Sequence, residues 1–400
     1  MAELITKVEN PVFKDGIAQE DNSFSLNVGQ EYAIRSIMNW YGSRHKPGWK
    51  KSFILGGCAG TGKSSLIQHL IKNLGLRENN VLCAAFTGKA ALNLYRKGTR
   101  SKTLHSSIYD AYFDPVHKNK PPVFTRKSHI DYKLIIVDEA SMISEEMFED
   151  ILSFGIPAIF IGDHCQLPPV NDSFNIMKSP DYTLTEILRQ ASKSPIIRAS
   201  QLAIQGKIIP FCNFQGFRKI RYSELKDEDY LWADQIIVGT NAMRRKINNY
   251  VRSLKGYPVD EPQNGERMIG LRNNVRIGIC NGQIVYLSTN PQYYDREDCY
   301  YSEWQDELER QEAIVSLAKN CDSSFRFKIM DPKDEDEHVD IRDYAYLDYG
   351  YAISCHKSQG SGWEKVMIFD EGFGFNEDTR RRWLYTAITR AKKQVLIVKK

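Results

Sequence analysis

Along the first half of the chain, short unbroken apolar runs alternate with stretches whose apolar residues recur every three or four positions. Ser52–Leu55, Val81–Phe86, Lys133–Val137 and Pro157–Ile161 are runs of the first kind. Ser64–Leu74 is of the second: Leu66, Ile67, Leu70, Ile71 and Leu74 share a helical face, and Gly75 ends it. Lys89–Lys97 stops in the same way at Gly98, and Glu145–Phe154 at Gly155. Unalternated strands between amphipathic helices are what a parallel sheet covered on both faces requires. The pattern then restarts. Ser194-Pro195 offers an N-cap and a first-turn proline for a helix running to Gly206. Gln235–Val238 reads as a strand and Thr240–Leu254 as a helix. Tyr351–Ser354, Lys365–Phe369 and Gln394–Val398 read as further strands, with a helix near Arg380–Ala391. The expected class is α/β, with two units over roughly 1–180 and 181–400.

Each unit is interrupted. Residues 106–133 lack helical periodicity and contain Lys120-Pro121-Pro122, which predicts a small β-hairpin insert. Residues 275–345 carry short alternating runs and, between Asp331 and Asp343, seven acids against two bases. This predicts a small β-barrel-like insert with a solvated acidic loop.

Composition narrows the class only modestly. With 400 residues, 42% hydrophobic and 26% charged, the chain has length and apolar content for real cores, which excludes a largely disordered protein. The N-terminus has no apolar h-region, and no apolar run nears the roughly 18–20 residues of a membrane helix. A net charge of +4 permits nucleic-acid binding without arguing for it. The eight cysteines form no CxxC pair, so spacing supports no zinc site, and scattered thiols predict a reducing, cytoplasmic compartment.

The strongest chemical signal is GCAGTGKS at 57–64, which fits G-x-x-x-x-G-K-[ST] between a strand and a helix. Gly57, Gly60 and Gly62 let backbone N–H groups converge on phosphate oxygens, and the following helix points its positive end at them. Lys63 is expected to reach the β- and γ-phosphates and Ser64 to hold Mg²⁺. A hydrolase also needs a metal-ordering acid and a water activator. LIIVDEAS at 134–141 supplies Asp138 for the metal and Glu139 for the water. After a further strand, GDHCQLPPV at 162–170 offers Gln166 as a γ-phosphate sensor. Arg189 in LTEILRQ and Arg390 in LYTAITRAKKQVLIV are candidate arginine fingers that complete the site only when the two units close.

With these segments in this order, the sequence resembles superfamily 1 helicases, most closely the 5′→3′ branch of RecD-like and bacteriophage Dda-like enzymes. The motifs fall in family order from about Leu26 to Val398: LNVGQEYAI (Q motif, Gln30), GCAGTGKSS (I, including Thr61 and Ser65), AFTGKAA (Ia), TLHSSI (Ib), DEAS (II), GDHCQLPPV (III), LRQ (IV), YAISCHKSQGSGWEKV at 351–366 (V) and the Arg390 segment (VI). Two features temper the match. Gln30 lies three residues after Asn27, so a capping box explains it as well as an adenine contact does. The family's usual glutamate after QGS is Gly362 here.

The resemblance implies two tandem RecA-like domains with ATP and Mg²⁺ as cofactors. The first is 1–105 with 134–180, interrupted by the duplex-splitting pin at 106–133. The second is 181–274 with 346–400, interrupted by an SH3-like insert at 275–345. It further implies that Thr87, Lys89, Thr103, His105, His356, Lys357 and Ser358 line a phosphate-gripping groove, with Phe113 among the pin aromatics. The expected activity is ATP-driven 5′→3′ translocation on single-stranded DNA and strand separation at duplex junctions, in replication or repair, by a monomer able to contact replication or single-strand-binding proteins. An ATP-gated nucleic-acid clamp that does not unwind is the alternative.

Overall fold

A computed structural model of the chain describes residues 26–112, 123–168, 174–188, 193–258, 261–271, 279, 282–294, 299–302, 304–306, 325–329, 344–374 and 376–400. The first apolar runs become a six-stranded sheet. Its order is Lys102–Thr103, Val81–Ala85, Leu134–Asp138, Ala158–Gly162, Ser52–Gly57 and Tyr182–Leu184, and every pairing is parallel. The four strands at 52–57, 81–85, 134–138 and 158–162 are buried along their whole length. This explains why their sequences do not alternate: helices cover both faces. Leu66, Ile67, Leu70 and Ile71 of helix Leu66–Asn73 pack on one face with Ile34 and Ile37 of helix Val28–Gly42. Met147 and Ile151 of helix Glu145–Ser153 cover the other.

The second half builds another six-stranded sheet, ordered Ala352–Ser354, Gln235–Val238, Trp363–Asp370, Ala391–Lys399, Phe217–Arg221 and Cys212–Phe214. Only the last edge strand runs antiparallel. The C-terminal helix spans Glu377–Ile388, opening earlier than the periodicity predicts because the Asn376 side chain accepts the Thr379 N–H at 2.8 Å.

A seven-stranded, mostly antiparallel sheet runs from Arg267–Gly270 to Tyr344–Tyr349 around Met268, Val285, Leu287 and Leu347. A polar seam fixes it to the second parallel sheet. Arg252 and Glu266, both almost wholly buried, pair at 2.7 Å. The Asn248 amide bonds Tyr349 O and the Ala352 N–H. Strands Tyr109–Tyr112 and Val123–Arg126 form an antiparallel hairpin beside the first sheet. The acidic stretch 331–343 lies outside the described residues.

One expectation is corrected: the cysteines are not all free thiols. Cys58 and Cys165 are joined as a disulfide across 107 residues. Strand Ser52–Gly57 lies beside strand Ala158–Gly162, so the loops that follow them emerge side by side. Among the described residues, no helix is long and apolar enough to cross a membrane.

Candidate nucleotide site and nucleic-acid track

The glycine loop leaves the C-terminal end of strand Ser52–Gly57, next to the ends of Leu134–Asp138 and Ala158–Gly162, where parallel α/β sheets place their ligands. Gly60 and Gly62 take φ values of +85° and +77°, a conformation that glycine alone adopts without strain. A Cβ on Gly62 would also stand 2.6 Å from Gln30 Nε2. The Lys63 ammonium donates to Cys58 O at 2.9 Å and lies 3.8 Å from Asp163 Oδ2, held inside the loop's curve. Ser64 and Ser65 occupy the 3₁₀ turn that opens helix Leu66–Asn73, and the Thr61 hydroxyl folds back onto Cys58 O.

Gln30 is wholly buried, with both ends of its amide engaged. Its oxygen accepts the Asn27 N–H to complete a capping box, and its nitrogen donates to Thr61 O at 3.1 Å. In this arrangement it braces the phosphate loop.

Asp138 is buried at the strand end and accepts the Glu139 N–H at 3.0 Å. Glu139 itself sits at φ +56°, a left-handed conformation that costs a non-glycine residue on the order of 1 kcal/mol and redirects its side chain from the strand path. Burial pushes its carboxyl above the usual range and the Asp138 charge pushes it further; Arg390 and Lys63 pull it back.

The loop after Ala158–Gly162 is where the two halves meet. Asp163 receives the Cys165 N–H at 2.9 Å and the Tyr385 hydroxyl at 2.8 Å; the same Tyr385 oxygen accepts the Ala59 N–H of the phosphate loop at 2.5 Å. Burial, with the Asp163 charge adding to it, holds the Tyr385 phenol well above its ordinary range, so it stays a proton donor. Thr386 Oγ1 accepts the Leu167 N–H at 3.0 Å, Gln359 Nε2 donates to Leu167 O at 2.8 Å, and Arg382 donates to His164 O. Gln166 is buried, with Nε2 3.4 Å from Asp163 and Oε1 lacking a partner among the described residues. Sequence reasoning missed Asp163, Gln359, Arg382, Tyr385 and Thr386. All lie within or beside quoted motifs, but only the meeting of the two sheets shows that they converge.

Arg390 is 5% exposed. Its guanidinium donates to Thr386 O, Ser361 O and Thr389 Oγ1, staying within its own half. Gly362 packs against the backbone of the same residue: a Cβ there would lie 3.3 Å from Arg390 O and 3.4 Å from Lys392 Cε. Arg189 and Phe113 lie outside the described residues.

The groove candidates fall into two groups. Thr87 caps helix Gly88–Arg96 and lies so close to Gly360 that a Cβ there would meet its hydroxyl at 2.6 Å. Lys89 stacks its ammonium over the Trp363 ring at 4.4 Å. Motifs Ia and V are thus in contact across the two halves. Thr103 donates to Ser106 Oγ, and His105 sits among Phe86, Tyr109 and exposed Phe124. Burial lowers the pKa of both His105 and His356. Lys357 is lowered chiefly by burial and further by Arg244. The Ser358 side chain is fully buried and donates to Cys355 O at 2.6 Å, facing its own backbone.

Comparison with known proteins agrees with this architecture. Residues 25–216 match the model of an AAA domain, and 349–398 that of a UvrD-like helicase C-terminal domain. The chain is 33% identical to an ATP-dependent RecD2 DNA helicase of Deinococcus radiodurans, over 38% of this chain and 22% of that protein, so it spans about a fifth of that relative's length. It is 27% identical to an ATP-dependent DNA helicase Pif1 of Campylobacter jejuni, covering 84% of this chain and 86% of the relative. Crystal structures of Pif1 helicases from Bacteroides, with ADP-AlF3 and single-stranded DNA, and from Candida albicans share the fold at a TM-score of 0.52. Their identities are 17% and 18%, with coverage of 91% of both chains and 94% of both chains respectively. In motif order, in both matched family models and in its two-sheet architecture the chain is similar to the superfamily 1 helicases of the RecD- and Pif1-like branch.

Proposed function

We propose that the chain is an ATP-dependent DNA helicase that moves 5′→3′ on single strands and separates duplex ahead of it. The observation that carries this reading is the Tyr385 bridge: a hydroxyl from the C-terminal half joins the phosphate-loop Ala59 N–H to Asp163. The polarity follows the RecD- and Pif1-like resemblance, and the Bacteroides Pif1 structure holds single-stranded DNA.

Lys63 and the loop amides bind the phosphates, while Glu139 takes the proton of the attacking water. The donor set of Ser64 hydroxyl and Asp138 carboxylate is hard oxygen, which suits Mg²⁺. The ion, when bound, neutralises charge on the β- and γ-phosphates. Arg390 leaves its carbonyl partners for the γ-phosphate as the halves close, and Gln166, whose buried Oε1 has no partner among the described residues, reports the phosphate to Leu167 and Thr386. Closure and reopening shift the motif Ia/V contact, Lys89 on Trp363, and so the grip on DNA.

The test is ATP hydrolysis with and without single-stranded DNA, followed by unwinding of duplexes tailed only at the 5′ or only at the 3′ end. DNA-stimulated hydrolysis with unwinding of the 5′-tailed duplex alone is expected. Stimulated hydrolysis without strand separation identifies an ATP-gated clamp, and unstimulated hydrolysis rejects the motor.

A further inference from the structure

Beside the phosphate loop, three soft donors from two separate segments converge. Cys58 follows strand Ser52–Gly57; His164 and Cys165 follow strand Ala158–Gly162. One ligand atom from each, two Sγ and a ring nitrogen of His164, all lie within 4.8 Å of one another. Cys58 Sγ is 3.7 Å from Nε2. In a tetrahedral zinc site, with Zn–S near 2.3 Å and Zn–N near 2.0 Å, a sulfur and a nitrogen ligand stand about 3.5 Å apart. The Cys–His spacing is therefore already that of a zinc site. The two sulfurs are bonded to each other in this structure, so they become available only on reduction.

We propose that the reduced Cys58–His164–Cys165 triad is a binding site for one thiophilic divalent cation of the zinc class, with a solvent molecule as fourth ligand. The cation and the disulfide are mutually exclusive occupants of the same corner. Binding converts two thiols to thiolates and releases two protons to solvent, while the imidazole binds neutral through Nε2. The disulfide forms instead when a small-molecule disulfide or peroxide oxidant takes the two electrons. Either occupant ties the phosphate loop to the loop carrying Asp163 and Gln166, at the residue whose carbonyl holds Lys63. Three soft donors exclude Mg²⁺, so this site does not compete for the nucleotide's metal. No CxxC spacing announces it, because its two cysteines are 107 residues apart.

The test uses the full chain, reduced with a phosphine and titrated with Co²⁺ alone in the presence of Mg²⁺. The expected result is a thiolate-to-cobalt charge-transfer band and tetrahedral ligand-field bands that saturate at one cobalt per chain. Zn²⁺ bleaches them. Cys58→Ser and Cys165→Ser each lose them, and Cys212→Ser keeps them. In the reduced wild-type chain, Zn²⁺ should slow iodoacetamide labelling of Cys58 and Cys165, mapped by mass spectrometry, at least tenfold, with Cys212 unaffected. This arm requires no variant to fold. Absence of the cobalt band in the reduced chain, its persistence in Cys58→Ser or Cys165→Ser, or labelling of both cysteines indifferent to Zn²⁺ overturns the proposal.

Discussion

The Tyr385 hydroxyl donates to the Asp163 carboxylate at 2.8 Å, linking the C-terminal helix to the loop that follows the fourth core strand of the first sheet. Because the same oxygen also accepts the Ala59 N–H, movement of the C-terminal half is felt directly in the phosphate loop. Tyr385→Phe keeps the ring and removes only this link. Its expected effect is a fall of about tenfold in DNA-stimulated kcat, equivalent to one contact of about 1.4 kcal/mol, with a smaller change in the basal rate. Steady-state hydrolysis at saturating single-stranded DNA checks it, and equal loss with and without DNA would remove the coupling role.

Lys63 donates to Cys58 O at 2.9 Å, and its proposed role is to hold the terminal phosphates. Lys63→Ala should reduce turnover a hundred- to a thousandfold, the scale on which a preorganised charge donor contributes. Fluorescent-nucleotide binding measured alongside hydrolysis separates lost affinity from lost chemistry.

Glu139→Gln should retain ATP and DNA binding but hydrolyse a hundred- to ten-thousandfold more slowly, as removal of a general base does. The pH dependence has a definite sign. Burial, then Asp138, raises this carboxyl, so its active, ionised form is lost at a higher pH than for an ordinary glutamate. The acid limb of the wild-type kcat profile should therefore lie above the usual carboxylate range and disappear in Glu139→Gln. Wild-type rates for that variant would refute the assignment.

The Lys89–Trp363 stack places a cation at the seam between motifs Ia and V. If Lys89 also neutralises a phosphate during each grip, Lys89→Ala should weaken single-strand binding and reduce the slope of log affinity against log salt by about 0.7. An unchanged slope with slower unwinding would make it a strut between the halves.

Glu266 is fully buried against Arg252, and burial raises its carboxyl despite that partner. Glu266→Ala removes the carboxylate that pairs with the buried Arg252 guanidinium and should cost about 3–5 kcal/mol. A calorimetric melt should show this as a lowered midpoint, with Glu266→Gln intermediate.

The periodicity of the chain made both parallel sheets legible, because buried parallel strands write themselves as unbroken apolar runs such as Leu134–Val137. The glycine loop was equally plain, since Gly60 and Gly62 are required by backbone conformation rather than by contacts. What stayed hidden was convergence over distance. Tyr385 reads as one more aromatic on a helix until its hydroxyl is seen between Ala59 and Asp163. Ser358 lies in a groove motif, yet its side chain is wholly buried. Cys58 and Cys165 meet only because their strands are neighbours in a parallel sheet, a relation that no local spacing encodes.

The account rests on one nucleotide shared by both halves, and the structure of the chain with single-stranded DNA and an ATP transition-state mimic tests it most directly. The prediction is that the Arg390 guanidinium releases Thr386 O and Ser361 O and comes within about 3 Å of the γ-phosphate position. An Arg390 still bonded to those carbonyls, away from the phosphate in the fully loaded complex, would contradict it.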